Sequence, residues 1–228
     1  MPGNHDYAVS RLVTALRRDL SSADLTLPDE YRYASLPLCV IDAVYSIGVT
    51  YEVTRRTVTR WCEAMGWPRV RGQGVREHSL SDFLNAAACY TPDALASEVF
   101  QNRQRTSSRS GILKAEAATM FACALVDAGI HTICDVEDEG SLNAAAIEVR
   151  RIPGQGSGIS WDYFRMLAGS DDHVKADRMV CRYIATALDE VVPTQPSRAR
   201  DLLIAAAREM GETPRSIDYA VWQRQRSL

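Results

Sequence analysis

Apolar residues recur at helical spacing along nearly the whole chain. In "DYAVSRLVTALRRDL", Val9, Leu12, Val13, Leu16 and Leu20 fall on one face, the rhythm of an amphipathic helix. "LPLCVIDAVYSIGV" is almost wholly apolar, which predicts a central helix buried all round. "YEVTRRTVTRWCEAMG" places Val53, Thr57, Val58 and Trp61 on one stripe before Gly66 and Pro68 stop the helix. "SLSDFLNAAACY" opens with a serine cap, and "TPDALASEVF" with a threonine, a proline at the first helical position and an early acid. "KAEAATMFACALVDAG" ends at Gly129, and "SLNAAAIEVRRI", "SGISWDYFRMLAG", "DRMVCRYIATAL", "SRARDLLIAAAREMG" and "TPRSIDYAVWQRQR" complete the series. Roughly ten helices, short loops and no hairpin signal predict an all-α fold. Strand-like pieces such as "VTYEV" are too few to build a sheet.

With 228 residues the chain can bury a core in one domain or in two small lobes. Apolar runs such as "FACALVDAGI" are far too short to span a bilayer. The N-terminus lacks a basic segment leading into an apolar run, so no signal peptide is expected and the cytoplasm is the expected location. Cys39, Cys62, Cys89, Cys123, Cys134 and Cys181 include no two within four residues of each other. A disulfide framework, a zinc knuckle and an iron–sulfur cluster are therefore not expected. Most of these cysteines sit among alanines and leucines, where a thiol behaves as a small buried hydrophobe. His5, His78, His131 and His173 share no metal-ligand spacing, and no metal site is expected.

The net charge of −3 argues against a simple polyanion binder, but its distribution is uneven. Six arginines stand against one glutamate from Arg55 to Arg76, and three arginines and a lysine stand without any acid from Gln101 to Lys114. Lys114 and Lys175 are the only lysines, so nearly all positive charge is guanidinium. The bias is either a genomic habit or a local phosphate-binding face.

In "RRIPGQGSGISWDYFRML" a helix ends at a proline, Gly154, Gly156 and Gly158 alternate, and an aromatic helix starts at once. Glycines permit positive φ in a tight turn, and successive amides beside a helix N-terminus form an anion site. The other reading is an ordinary helix–helix turn. No strand precedes the glycines, which excludes a dinucleotide fold.

Ile152, Pro153, Gly154, Gln155 and Gly156, leading into Ser157, resemble the hairpin of the helix-hairpin-helix superfamily of DNA base-excision glycosylases. About 20 residues beyond the hairpin that family carries an aspartate opening the next helix, and "HVKADRMVCRYI" brings Asp177 to that position. Upstream, Gly111 with Lys114, Ala115 and Glu116 resembles a further family stretch. "LPLCVIDAVYSIGVTYEVTRRTV" is similar to the helix and loop that open its six-helix lobe. The resemblance covers nearly the whole chain in order. It implies a six-helix lobe over 34–172 that carries the hairpin, and a second helical lobe from 1–33 with 173–228 that starts with the catalytic-position aspartate.

It also implies chemistry. Gly154, Gly156, Ser157 and Gly158 would hold a DNA phosphate, with Lys175 beside them and a monovalent cation as the one ion at the hairpin; no other cofactor is expected. Asp177 would stabilise the sugar cation formed as an N-glycosidic bond breaks, the helix dipole keeping it ionised; otherwise it is an N-cap alone. The position at which bifunctional members carry a Schiff-base lysine is Gly158, so a monofunctional enzyme is expected, with water as nucleophile. The four cysteines of the family's iron–sulfur branch are missing. Tyr45, Trp161 and Trp222 are candidates to stack on a flipped base, or are core; Asn102, Arg103 and Arg105 either enter the DNA or form a solvated loop. The expected partner is double-stranded DNA, bound by a monomer with no membrane involved. The competing readings are a non-enzymatic helix-hairpin-helix DNA-binding module and a helical enzyme whose turn holds another phosphate.

Overall fold

The structure, a computed structural model, describes residues 4–28 and 32–227. In chain order it contains α1 (Asn4–Asp19), a 3-10 turn (Ser22–Leu25), α2 (Leu36–Tyr45), α3 (Tyr51–Met65), α4 (Leu80–Ala87) and α5 (Pro92–Ala94), which runs into a π turn (Leu95–Val99). There follow α6 (Lys114–Asp127), a 3-10 turn (Ile133–Glu137), α7 (Glu139–Arg151), α8 (Ile159–Ala168), α9 (Arg178–Ala187), α10 (Pro196–Met210) and α11 (Pro214–Arg226). Among the described residues there is no strand, only the isolated bridges Tyr33–Val70 and Arg105–Leu113. The fold is all-α. No helix among the described residues is long and apolar enough to cross a membrane.

Local chemistry sets the helix ends. Ser79 Oγ accepts from Asp82 N at 3.1 Å while Asp82 accepts from Ser79 N at 2.9 Å, a reciprocal cap for α4. Thr91 caps α5 through Ala94 N at 3.2 Å, with Pro92 in the first turn. The helix expected over "TPDALASEVF" is not continuous: after one α turn it widens into the π turn, closed by Phe100 N donating to Leu95 O at 3.0 Å. Gly66 ends α3 at φ +64 and Gly211 ends α10 at φ +74, the left-handed conformation in which glycine pays no Cβ penalty.

The chain divides into two compact units, Met1–Pro28 with Ser170–Leu228, and Asp29–Gly169. In the larger unit α2 is buried along its whole length and packs against α3, α6 and α8. The rings of Tyr45, Trp61, Phe83 and Phe100 interlock there, with Trp61 4.8 Å from Phe83 and 5.5 Å from Phe100. Each such ring contributes about 1.5–3 kcal/mol relative to an exposed one. In the smaller unit α1 packs on α10 and α9, and α11 closes the core. Leu12 and Leu16 of α1 meet Ile184, Leu203, Ile217 and Val221 in one apolar cluster.

Candidate functional site

The hairpin between α7 and α8 is two successive turns. Gln155 N donates to Ile152 O at 2.9 Å, Gly158 N to Gln155 O at 3.1 Å, and Asp162 N to Gly158 O at 2.9 Å. Ile152 and Gln155 are buried, whereas Gly154, Gly156 and Ser157 are exposed. Among the described residues the amides of those three make no hydrogen bond. Three unspent donors beside a helix N-terminus suit an anion. Gly158 differs from the expectation for it: it is buried, its amide is used within the turn, and its φ of +76 makes it the left-handed residue that starts α8. Its part is conformational.

Sequence reasoning missed two neighbours of the hairpin. Arg150 lies against Gly158, with Nε 3.3 Å and Nη2 3.4 Å from where a Cβ would stand. Arg150 is exposed and forms no ion pair among the described residues, so a free guanidinium stands against Gly158 at the end of the hairpin. On the other side Thr106 fills the space in front of Gly154, where a Cβ would meet its Cβ at 2.5 Å. Thr106 belongs to a loop closed by Thr106 N on Ile112 O at 2.9 Å and Lys114 N on Gln104 O at 2.8 Å. The exposed tip of that loop carries Ser107, Ser108, Arg109 and Ser110.

The side chains expected to enter DNA from this segment are engaged locally. Asn102 Nδ2 donates to Thr57 Oγ1 at 2.9 Å and its Oδ1 accepts from Gln104 N at 3.1 Å. Arg103 makes a two-pronged pair with Asp93, at 2.6 and 2.9 Å. Arg105 Nη1 donates to Gly111 O at 2.8 Å. Asn102 thus braces the loop from inside, while Arg103 and Arg105 stay at the surface.

In the smaller unit, Asp177 is the N-cap of α9. Its Oδ1 accepts from Met179 N at 2.8 Å and Val180 N at 3.2 Å, and its Oδ2 accepts nothing among the described residues. Two residues upstream, Lys175 N donates to Oδ1 of Asp218 on α11 at 3.0 Å. Asp218 is buried. Burial first, and the neighbouring charge of Asp177 second, push its carboxyl well above the usual range, while Lys175 and its backbone N–H pull the other way. Asp218 was not foreseen as a site residue. Lys175 is half-buried, and its positive charge opposes the rise that burial imposes on the Asp218 carboxyl.

Two of the aromatic candidates are core residues. Tyr45 is fully buried, its ring 5.2 Å from Phe100 and beneath the Lys114 ammonium. Trp161 is buried against Phe121 and Phe164 at 5.9 and 5.5 Å. Neither presents a face to a base. Trp222 is half-buried, with Tyr219 at 6.1 Å and the Arg226 guanidinium 5.3 Å above its ring. Lys114 is buried, its Nζ donating to Tyr45 O at 3.0 Å, Ile47 O at 2.7 Å and Gln104 Oε1 at 3.3 Å. Cys39, Cys62 and Cys181 are buried, but Cys89, Cys123 and Cys134 are exposed, on helix and turn positions that the alanines beside Cys89 and Cys123 did not announce. Burial pushes the Cys62 thiol up to about 11, which leaves it inert.

These features define an all-helical protein of two compact units, with an amide-lined hairpin in one and a capped carboxylate in the other. The chain belongs to the DUF8548 family, described as a domain of unknown function, whose model matches residues 10–226. That match takes in both units. No curated protein matches the chain, and no solved structure does.

Proposed function

We propose that the protein is a monofunctional DNA glycosylase of helix-hairpin-helix type, which grips a phosphate of duplex DNA at the hairpin and hydrolyses the N-glycosidic bond of a modified base at Asp177. The observation that carries this reading is the hairpin itself: three unspent amides at the exposed residues Gly154, Gly156 and Ser157, with the unpaired guanidinium of Arg150 against the neighbouring Gly158. Asp177 supports it, with one oxygen capping α9 and the other unengaged among the described residues, which leaves a carboxylate oxygen to stabilise a developing sugar cation. The buried Oε1 of Gln155 has no hydrogen-bond partner, and a monovalent cation at the hairpin would take that oxygen as a ligand. The proposed setting is a monomer in the cytoplasm. The test is a panel of duplexes carrying different lesions, scored for abasic sites by hot alkali, with Asp177→Asn as control. Excision by wild type that Asp177→Asn abolishes supports the reading; excision retained in that variant removes Asp177 from it.

A second reading, a DNA-binding module without catalysis, is favoured by one observation. Tyr45 and Trp161, two of the three rings available to stack on a flipped base, are sealed in the core. Salt-dependent duplex binding without excision of any lesion would select it.

A further inference from the structure

We propose that Asp218 is the positioning residue for Asp177: its buried side chain on α11 anchors the segment Lys175–Asp177 from which α9 starts. This rests on the reading of Asp177 given above. The connection runs through three bonded steps. Asp218 Oδ1 accepts from Lys175 N at 3.0 Å, Lys175 O accepts from Asp177 N at 2.6 Å, and Asp177 Oδ1 accepts from Met179 N and Val180 N at 2.8 and 3.2 Å. The anchor has a second fastening, because Arg215 N donates to Asp171 O at 3.1 Å and its guanidinium lies 3.6 Å from the Asp171 carboxylate. Val174 and Ala176, on either side of Lys175, are buried in the same core as Ile217 and Val221. The backbone that carries Asp177 is therefore held from below, and its Oδ1 is committed to the helix. Only Oδ2 remains for chemistry.

Charge gives Asp218 a second part. The charges that act on it are Asp177 and Lys175. Of the elements packed against α11, α9 brings Arg178, Arg182, Cys181 and Tyr183, the last with its hydroxyl donating to Asp19, and the 3-10 turn brings Asp24, which accepts from Ser21. Residues 196–210 of α10 add Arg198, Arg200, Asp201, Arg208 and Glu209 to the charged side chains of these elements. Burial and the neighbouring Asp177 both disfavour the charged form of Asp218, so its carboxyl gives up its proton at a higher pH than an exposed aspartate does. The folded value lies above the unfolded one. The stability contributed by Asp218 is thus full below the unfolded value and is lost as pH rises through the folded value.

The test compares wild type, Asp218→Asn and Asp218→Ala. Asparagine keeps an oxygen for Lys175 N and stays neutral at every pH; alanine leaves that amide without a partner. Amide hydrogen exchange at Lys175, Met179 and Val180 is expected to speed up about tenfold in Asp218→Ala and to return close to the wild-type rate in Asp218→Asn. The melting temperature and the excision rate of wild type are expected to fall as pH rises through the raised value of Asp218, and those of Asp218→Asn to stay level across that range. Wild-type exchange rates in Asp218→Ala, or a pH profile of Asp218→Asn that follows wild type, overturn the proposal. Should Asp218→Ala fail to fold, Asp218→Asn still decides through its pH profile. Should wild type excise no base, the DNA reading fails alone, because exchange and melting are measured without DNA.

Discussion

The guanidinium of Arg150 lies against Gly158, its Nε 3.3 Å from the point where a Cβ would stand. The last turn of α7 thereby returns a charge to the first turn of α8, eight positions along the chain. Glycine is favoured at 158 because φ is +76 there, and an added Cβ would also press the guanidinium aside by a few tenths of an ångström.

Arg150→Ala is expected to weaken duplex binding about tenfold at low salt, and to lower the slope of log affinity against log salt by about one. The loss should be the same for every sequence, because a phosphate contact carries no base information. Fluorescence anisotropy across a salt series measures both quantities. An unchanged slope would detach Arg150 from the DNA.

Gly156 and Gly154 should respond differently to substitution. At Gly156 φ is not positive and the nearest atom to a Cβ is Arg150 O at 3.6 Å, an ordinary contact. Gly156→Asp should therefore fold normally yet bind every duplex more weakly, its carboxylate repelling the phosphate. At Gly154 a Cβ would meet Thr106 at 2.5 Å, at φ +86. Gly154→Ala should destabilise the larger unit by about 1–3 kcal/mol. Thermal melts beside binding isotherms separate the two effects, and a Gly156→Asp variant that binds like wild type would reduce the hairpin to a turn.

The fold was legible wherever periodicity and caps agreed. Ser79 with Asp82, and Thr91 with Pro92, announced helix starts that the structure contains. The all-apolar run around Leu36–Tyr45 announced a helix buried on every side; that same burial removes Tyr45 from any pocket, so the pattern was the better guide than the aromatic identity. Asp218 had a signal that went unused. It occupies the i, i+3, i+4, i+7 stripe of Pro214, Ile217 and Val221, where an acid must be buried and must find a partner. Arg150 had none, because its placement depends on how the turn at Pro153–Gly158 folds back. The π turn after α5 was likewise hidden, since its residues have ordinary helix propensity.

The two lysines bear on strand cleavage. Lys114 is buried over the Tyr45 ring with three oxygen partners, so it cannot reach a sugar, and Lys114→Met should cost about 2–4 kcal/mol by leaving buried carbonyls unpaired. Borohydride should trap little covalent protein–DNA complex with wild type. Strong trapping that Lys175→Ala abolishes would make Lys175 the nucleophile and the enzyme bifunctional.

Asp177 has two duties that substitution can separate. As the N-cap of α9 it accepts from Met179 N and Val180 N, and asparagine caps about as well as aspartate. Asp177→Asn should therefore melt close to wild type, while Asp177→Ala should lose about 1 kcal/mol. Chemistry should not follow this order. A neutral amide does not balance positive charge on the sugar, so both variants should lose excision by about 100-fold or more, with duplex affinity within a few-fold of wild type. The comparison is read from single-turnover excision beside melting curves for the three proteins. If activity tracked stability, with Asp177→Asn active and Asp177→Ala impaired, Asp177 would be a cap alone and the non-catalytic DNA-binding reading would stand.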